Sequence, residues 1–298
     1  ASAFAMAAAL SAGVGSADAD AAANLDAANI TVNYNNQTLT IADSVTDKKI
    51  SVSYPTVKGT EISGEKNVCT YDKEASKPLV VDLSTLNVTK DNYIKVSGEE
   101  KEFILKIPAA PTLGKATVKT SGETTTATIP KKNDTAAYTG KVSYATATHN
   151  WVESKSGSID VTAYTQLGAT LYVRTEGSDD AALSGKAKEY TIKKSDKKAE
   201  VYELAGTFPS KEIKVKVSKK ANAPKVKVDY TKCTVTLPKG AEYRVNTDSE
   251  LGTWTDGDKK VLTSTGDNKV LELTKAGCID VRTKATEKKP SSKYLAFN

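Results

Sequence analysis

The sequence predicts an all-β chain: tandem Ig-like β-sandwich domains behind an extended N-terminal segment. Three observations carry this. One strand is written twice, as Thr170-Leu-Tyr-Val-Arg-Thr175 and Cys278-Ile-Asp-Val-Arg-Thr283. Rare residues mark both copies: two of the chain's three arginines, Arg174 and Arg282, hold the same place, and each of the two tryptophans, Trp151 and Trp254, lies upstream of one copy. Such coincidence points to duplication. The third observation is texture. Thr, Ser, Val, Lys and Tyr alternate in short runs, and Leu-rich helical stripes are missing.

At 298 residues, 26% charged and 39% hydrophobic, the chain has room for two or three domains with small cores. The net charge of +6 is diffuse. No basic cluster is interleaved with aromatics, which argues against a nucleic-acid partner. The lysines read as solvated outer faces and guards on edge strands. Three cysteines, one histidine and one methionine leave little catalytic chemistry. His149 has no Cys or His partner at metal spacing and reads as a loop residue before Trp151. No serine is marked as a nucleophile. The expectation is a protein that is not an enzyme, with no cofactor, no metal and no membrane span.

Residues 1–24 are expected to be an extension and linker. Residues 1–17 carry no charged side chain. Odd positions from Ala1 to Gly15 are all small, and even positions hold Phe4, Met6, Leu10 and Val14. A period of two puts these four on one side of an extended strand that could fill a sheet edge in a neighbouring copy. Two other readings stand beside it. One is a signal-peptide remnant ending at Ala17-Asp-Ala19, which implies export. The other is a short helix through Met6, Leu10 and Val14.

Residues 25–109 read as a first β domain. Its strands are Ile30–Tyr34, Thr38–Ile41, Lys49–Tyr54 (stopping at Pro55), Pro78–Leu83, Asn92–Val96 and Glu102–Ile107. Pro108-Ala-Ala-Pro111 marks a boundary. A first repeat is expected over 110–195, with seven short strands ending in Lys188–Ile192, which suits an immunoglobulin-like or fibronectin-III-like sandwich. The second is expected over 196–298, led in by Glu200–Leu204 and Glu212–Val217.

Several constellations carry two readings. Cys233 and Cys278 could form a cross-sheet disulfide, but parity puts Cys233 on an inward face and Cys278 on an outward one. Cys69 is left over, either free or linking subunits. Arg174 and Arg282 face outward, where cross-strand ion pairs are favoured over a ligand. The matched placement of Trp151 and Trp254 favours core anchors over carbohydrate platforms. Asp179-Asp180 and Asp256-Gly-Asp258 fit turn chemistry better than a Ca²⁺ site.

Tyr144 with Trp151, Gly168–Thr175 and Ser184, and again Tyr243 with Trp254, Val281-Arg-Thr283 and Pro290-Ser-Ser292, resemble a module common in surface proteins of Gram-positive anaerobic bacteria. The segments Val81–Leu86, Asn92–Ile94 and Ile107-Pro108 are similar to the stretch that often precedes it. The resemblance implies a secreted, all-β protein of a cell surface or matrix. No C-terminal sorting signal or surface-layer anchoring repeat is visible, a departure from wall-anchored members. The expectation is a structural subunit of an extracellular assembly, a pilus-like filament or surface layer, whose partners are copies of itself joined through Phe4, Met6, Leu10 and Val14. The alternatives are a monomeric adhesin with host or cell-wall glycans as partners, or a non-catalytic spacer.

Overall fold

The computed structural model describes residues 23–183, 187–195, 197–232, 234–246, 250–263 and 279–297. The strands in chain order begin with β1 (Ile30–Asn33), β2 (Thr38–Ile41), β3 (Lys49–Lys58), β4 (Glu61–Asp72), β5 (Leu79–Asp82), β6 (Asn92–Ser97) and β7 (Glu102–Ile107). There follow β8 (Thr117–Ser121), β9 (Thr124–Thr128), β10 (Val142–Ala145), β11 (Val152–Ser154), β12 (Ser158–Asp160) and β13 (Ala169–Thr175). Next are β14 (Ala181–Ala182), β15 (Lys188–Ile192), β16 (Lys198–Glu203) and β17 (Ile213–Val217). The last are β18 (Lys227–Asp229), β19 (Thr234–Thr236), β20 (Ala241–Val245), β21 (Thr255–Asp256), β22 (Val261–Thr263), β23 (Ile279–Thr283) and β24 (Leu295–Phe297). The described residues divide into two compact units: those within 23–109 and 178–207, and those within 110–177 and 208–297.

In the first unit the period-two pattern places alternate apolar residues inward. Ile30, Val32, Leu39, Ile41 and Val81 are buried on the sheet β14-β1-β2-β5. Ile50, Val52, Ile94, Val96, Leu105 and Ile107 are buried on the closed barrel β15-β16-β7-β6-β3-β4. Strand β3 runs through Pro55, where it was expected to stop; Pro55 stands opposite Glu65 of β4 and lies beyond Ser51–Ser53, the stretch that pairs with β6, so one side of the strand is already an edge there. Strand β4 is the longest, at 12 residues, and has no counterpart among the expected strands. Almost all of it is exposed, so no apolar alternation betrays it.

Residues 178–207 complete this unit. Strand β14 pairs with β1, β15 runs parallel to β4, and β16 runs parallel to β7. Tyr190 packs with Ile62, Ile104 and Val201, its ring edge-on to Tyr93, and its hydroxyl donates to Glu203 (2.8 Å). Gly206 lies against the Tyr34 ring, where an added Cβ would come within 2.4 Å. The N–H of Ser178 donates to the Thr207 carbonyl (3.0 Å), and the N–H of Thr207 to Ser178 Oγ (2.9 Å), so the excursion is tied at its base.

The second unit holds two antiparallel sandwiches of identical strand order. One pairs β12-β9-β8 with β11-β10-β13-β17, and the other β22-β19-β18 with β21-β20-β23-β24. The first core contains Ile129, Val142, Val161, Leu171, Val173, Val215 and Val217; the second contains Leu237, Tyr243, Leu262, Ile279 and Val281. Three-plus-four antiparallel sheets in this order are immunoglobulin-like, fibronectin-III-like sandwiches.

Two expectations need correction. Strand Lys188–Ile192 does not close the first repeat; β17 does, matching β13 from Ala169↔Val217 to Val173↔Ile213. Strand β17 turns Val215 and Val217 inward and its lysines outward, whereas the inward residue of β15, Tyr190, is buried in the first unit. Neither Glu200–Leu204 nor Glu212–Val217 therefore leads in the second repeat, and the boundary at 195/196 does not separate sandwiches. Phe4, Met6, Leu10, Val14, Cys233, Cys278 and Ser184 lie outside the described residues.

Asp47, 3% exposed, accepts from the backbone N–H groups of Leu25 and Glu99, each at 2.6 Å. Gly98 makes room for it, since a Cβ there would stand 2.6 Å from Asp47 Oδ1. Replacing Asp47 by Ala strands two amides of the first unit. The expected loss is about 3 kcal/mol of unfolding free energy, read by denaturant titration.

Candidate functional site

The three arginines and two tryptophans meet on the outer faces of the four-stranded sheets. In the second sandwich, register sets Glu242 opposite Arg282 and Arg244 opposite Asp280, a cross-strand quartet of alternating sign. Arg282 Nε donates to Glu242 Oε1 (2.6 Å), and Arg244 Nε to Asp280 Oδ2 (2.8 Å). Asn246 Nδ2 also donates to Asp280 (2.8 Å), while its Oδ1 accepts from the N–H of Gly252 (3.0 Å). That bond fixes the loop carrying Trp254. The loop needs glycine at 252, because a Cβ would lie 2.0 Å from the Val245 carbonyl oxygen.

Trp254 lies over both arginines, 3.8 Å from the Arg282 guanidinium carbon and 4.7 Å from that of Arg244. The indole shields the quartet, and Asp280 and Arg282 are 2% and 8% exposed. Buried charges persist only when paired. Glu123, on the β8–β9 turn of the first sandwich, supplies the remaining partner: its Oε2 accepts from Arg282 Nη1 (3.1 Å) and its Oε1 from Arg282 Nη2. Lys119 pairs with Glu287 (2.5 Å), and the N–H of Thr120 donates to the Glu287 carbonyl (3.0 Å). These contacts dock the two sandwiches. The Arg282 bond, with the positive charges of Arg282, Lys220 and Arg244, holds the Glu123 carboxyl below its ordinary range against a smaller opposing effect of burial.

The first sandwich keeps the arginine and tryptophan and loses the acids. Arg174 stacks on Trp151 (4.1 Å), but the residue opposite it is Ser143. Among the described residues its buried Nε finds no hydrogen-bond partner. Burial pushes the guanidinium down from its ordinary value, with Glu176 and Glu212 opposing. An aromatic row takes the place of the quartet. The His149 ring sits 5.7 Å from Trp151 and 4.9 Å from Tyr172, Lys214 stands 5.5 Å over Tyr172, and His149 Nε2 is 3.4 Å from Glu212.

Both tryptophans are thus half-buried covers over arginines, and the core-anchor reading is corrected. The cross-strand ion pair expected at the arginines holds for Arg282; at Arg174 a ring contact replaces it. Arg244 escaped sequence reading, although Tyr243-Arg244 beside Trp254 was the available signal. The serine matching Ser292 is Ser210. Ser292 Oγ accepts from the N–H of Thr283 (2.8 Å) and Ser210 Oγ from that of Thr175 (2.9 Å). Each also donates to the next carbonyl, Lys293 (2.7 Å) and Lys211 (3.0 Å).

The acidic turns are engaged locally: Asp256 with Lys284 (2.5 Å), Asp258 with the N–H of Gly240 (2.6 Å), and Asp180 with Asn33 (2.9 Å). Among the described residues, no group of three or more His, Cys, Asp or Glu could hold a metal ion, and no helix is long and apolar enough to cross a membrane. Cys69 is free and exposed on β4.

No protein-family model matches the chain, and no curated protein matches it. Among solved structures, the chicken CNTN1 FN1-FN3 domains are similar at 10% identity, over 89% of this chain and 95% of that one, with a TM-score of 0.21. The assignment of the sandwiches rests on their sheet order. The chain is a tandem β-domain protein with immunoglobulin-like, fibronectin-III-like sandwiches.

The two sandwiches should respond differently to loss of an arginine from the outer face, Arg244 having no counterpart in the first. Arg244→Ala leaves the buried Asp280 carboxylate without its counter-charge, at an expected cost of about 3–5 kcal/mol. Arg174→Ala removes only a ring contact, about 1 kcal/mol. Chemical unfolding followed by circular dichroism measures both. Because the folded-state pKa of Glu123 is depressed, its stabilisation is complete above the ordinary carboxylate value and is lost as pH falls through the folded value. Glu123→Gln should flatten that acid limb of a melting-temperature profile.

Proposed function

We propose that the chain is a non-catalytic structural subunit of an extracellular assembly, a pilus-like filament or surface layer, built by strand donation. Residues 1–16 of one copy lay Phe4, Met6, Leu10 and Val14 along the first unit of the next copy. The observation that supports this reading is the edge of β4. Strand β15 covers only Glu61 and Ile62, and among the described residues Ser63–Asp72 has β3 as its one neighbour. Edge strands normally carry charges, prolines or bulges against such pairing. Glu65 and Lys66, beside the register shifts, guard one end. The run Asn67-Val-Cys-Thr-Tyr71 has no charge, and Val68 is 63% exposed.

Register gives this edge an apolar side. Cys69 stands opposite Val52 and Tyr71 opposite Ile50, both core residues. Burial, then Cys69, then the Asp82 carboxylate push the Tyr71 hydroxyl above its ordinary value. Asp82 ends β5, the edge strand of the other sheet, on which Val80 is 55% exposed. Ten open residues of β4 span about 33 Å, and the eleven residues from Phe4 to Val14 span about 36 Å when extended. An incoming strand there gains backbone bonds from the edge and side-chain burial from its large residues. Tandem sandwiches are common in cell-surface proteins, which fits an extracellular setting.

Electron microscopy of the purified chain should show polymers, and deletion of residues 1–16 should leave monomers with an unchanged melting temperature. Polymers that survive the deletion, or native protein whose N-terminus is at Asp20 or later, would refute strand donation.

A further inference from the structure

A cleft of about 580 Å³ opens where the two sandwiches of the second unit dock. The first sandwich contributes Gln166 and Lys220, and the second contributes Arg244, Trp254, Lys293 and Tyr294. Its volume falls within the range of small-molecule sites. Its walls are fixed by contacts already described, the Glu123–Arg282 bridge above all, and by two backbone bonds. The N–H of Lys220 donates to the Thr165 carbonyl (2.7 Å), and that of Lys293 to the Ala221 carbonyl (2.9 Å).

We infer that this cleft binds an acidic carbohydrate, a sugar chain bearing carboxylate or sulfate groups. The aromatic element is Tyr294, 53% exposed beside the Arg244 guanidinium (5.6 Å), together with the half-buried Trp254 indole. Ring faces of this kind cover the C–H side of a sugar, while the Gln166 amide offers both a donor and an acceptor to hydroxyls. The charge balance selects the acid. Four cations, Lys220, Arg244, Arg282 and Lys293, line the cleft with one carboxylate, Glu123. Asp280 and Glu242 lie behind it on the two arginines. One positive charge remains, and Lys220 and Lys293 form no ion pair among the described residues. A site with a small positive excess suits a sparsely charged chain rather than a dense polyanion. Nucleic acid would call for a longer basic track with successive stacking rings.

Titration calorimetry on the full chain tests this. The probes are an oligogalacturonate, a chondroitin sulfate fragment and a neutral cello-oligosaccharide of equal length. At least one acidic probe should bind and the neutral one should not; the better acid identifies carboxylate or sulfate as the recognised group. Lys293→Ala and Tyr294→Ala alter exposed side chains, so folding should be kept, as circular dichroism would verify. Each should weaken binding about tenfold or more, the scale of one charge-assisted hydrogen bond or ring contact. Tyr294→Phe should retain binding. Lys132→Ala and Lys155→Ala, elsewhere on the surface, should change nothing. Absence of binding by both acidic probes, equal binding of the neutral probe, or an equal loss in the control lysine variants would overturn the assignment.

Discussion

A β-sheet is stable only when its edge amides and carbonyls find partners or water, and the fold is arranged around where those edges end. The first unit cannot close its barrel from residues 25–109 alone. The missing strands, β15 and β16, come from an excursion between β13 and β17 of the next sandwich. The chain therefore passes between the units three times, near residues 109, 177 and 207. A Ser178–Thr207 clasp holds the base of the excursion. One side of the first unit is thereby completed from within the molecule, and among the described residues the β4 edge has a single neighbour along most of its length.

The duplicated sandwiches share a strand order and have diverged at their matching arginines. Arg282 faces Glu242 and is shielded by Trp254; Arg174 faces Ser143 and rests on Trp151. Where the second copy has Arg244 and Asp280, the first has Ala145 and Tyr172. The second copy thus carries a polar quartet that also grips Glu123 of its neighbour, and the first carries an aromatic row through His149. The duplicated mark is a docking device in one copy and a surface stack in the other. The docking seam in turn creates the cleft between the sandwiches.

Much of this was legible. Apolar runs bounded by turn residues located β1 to β3 and β5 to β7: hairpin turns set β1 against β2 and β6 against β7, alternation marked β3, and a continuous apolar run marked β5. The Val-Arg-Thr copies located both sandwiches, because a duplicated strand keeps its neighbours. What failed was long-range. Lys188–Ile192 and Ile213–Val217 both alternate, and no local signal says which sheet receives each. Ser184 stood at the expected spacing by coincidence; the shared Pro-Ser of Pro209-Ser210 and Pro290-Ser291-Ser292 was the better guide. The tryptophans read as core because they hold matching places in both repeats, yet a guanidinium offers an indole a face to cover on the outer side. Strand β4 was invisible because an edge with little buried beneath it has no apolar rhythm.

In the proposed assembly the β4 edge is completed by another copy. Hydrogen exchange at Asn67–Tyr71 tests it most directly. Amides in this run that do not bond to β3 should exchange slowly in assembled full-length chains and fast once residues 1–16 are removed, while β6 and β7 stay protected in both. Equal and rapid exchange with and without residues 1–16 would contradict it.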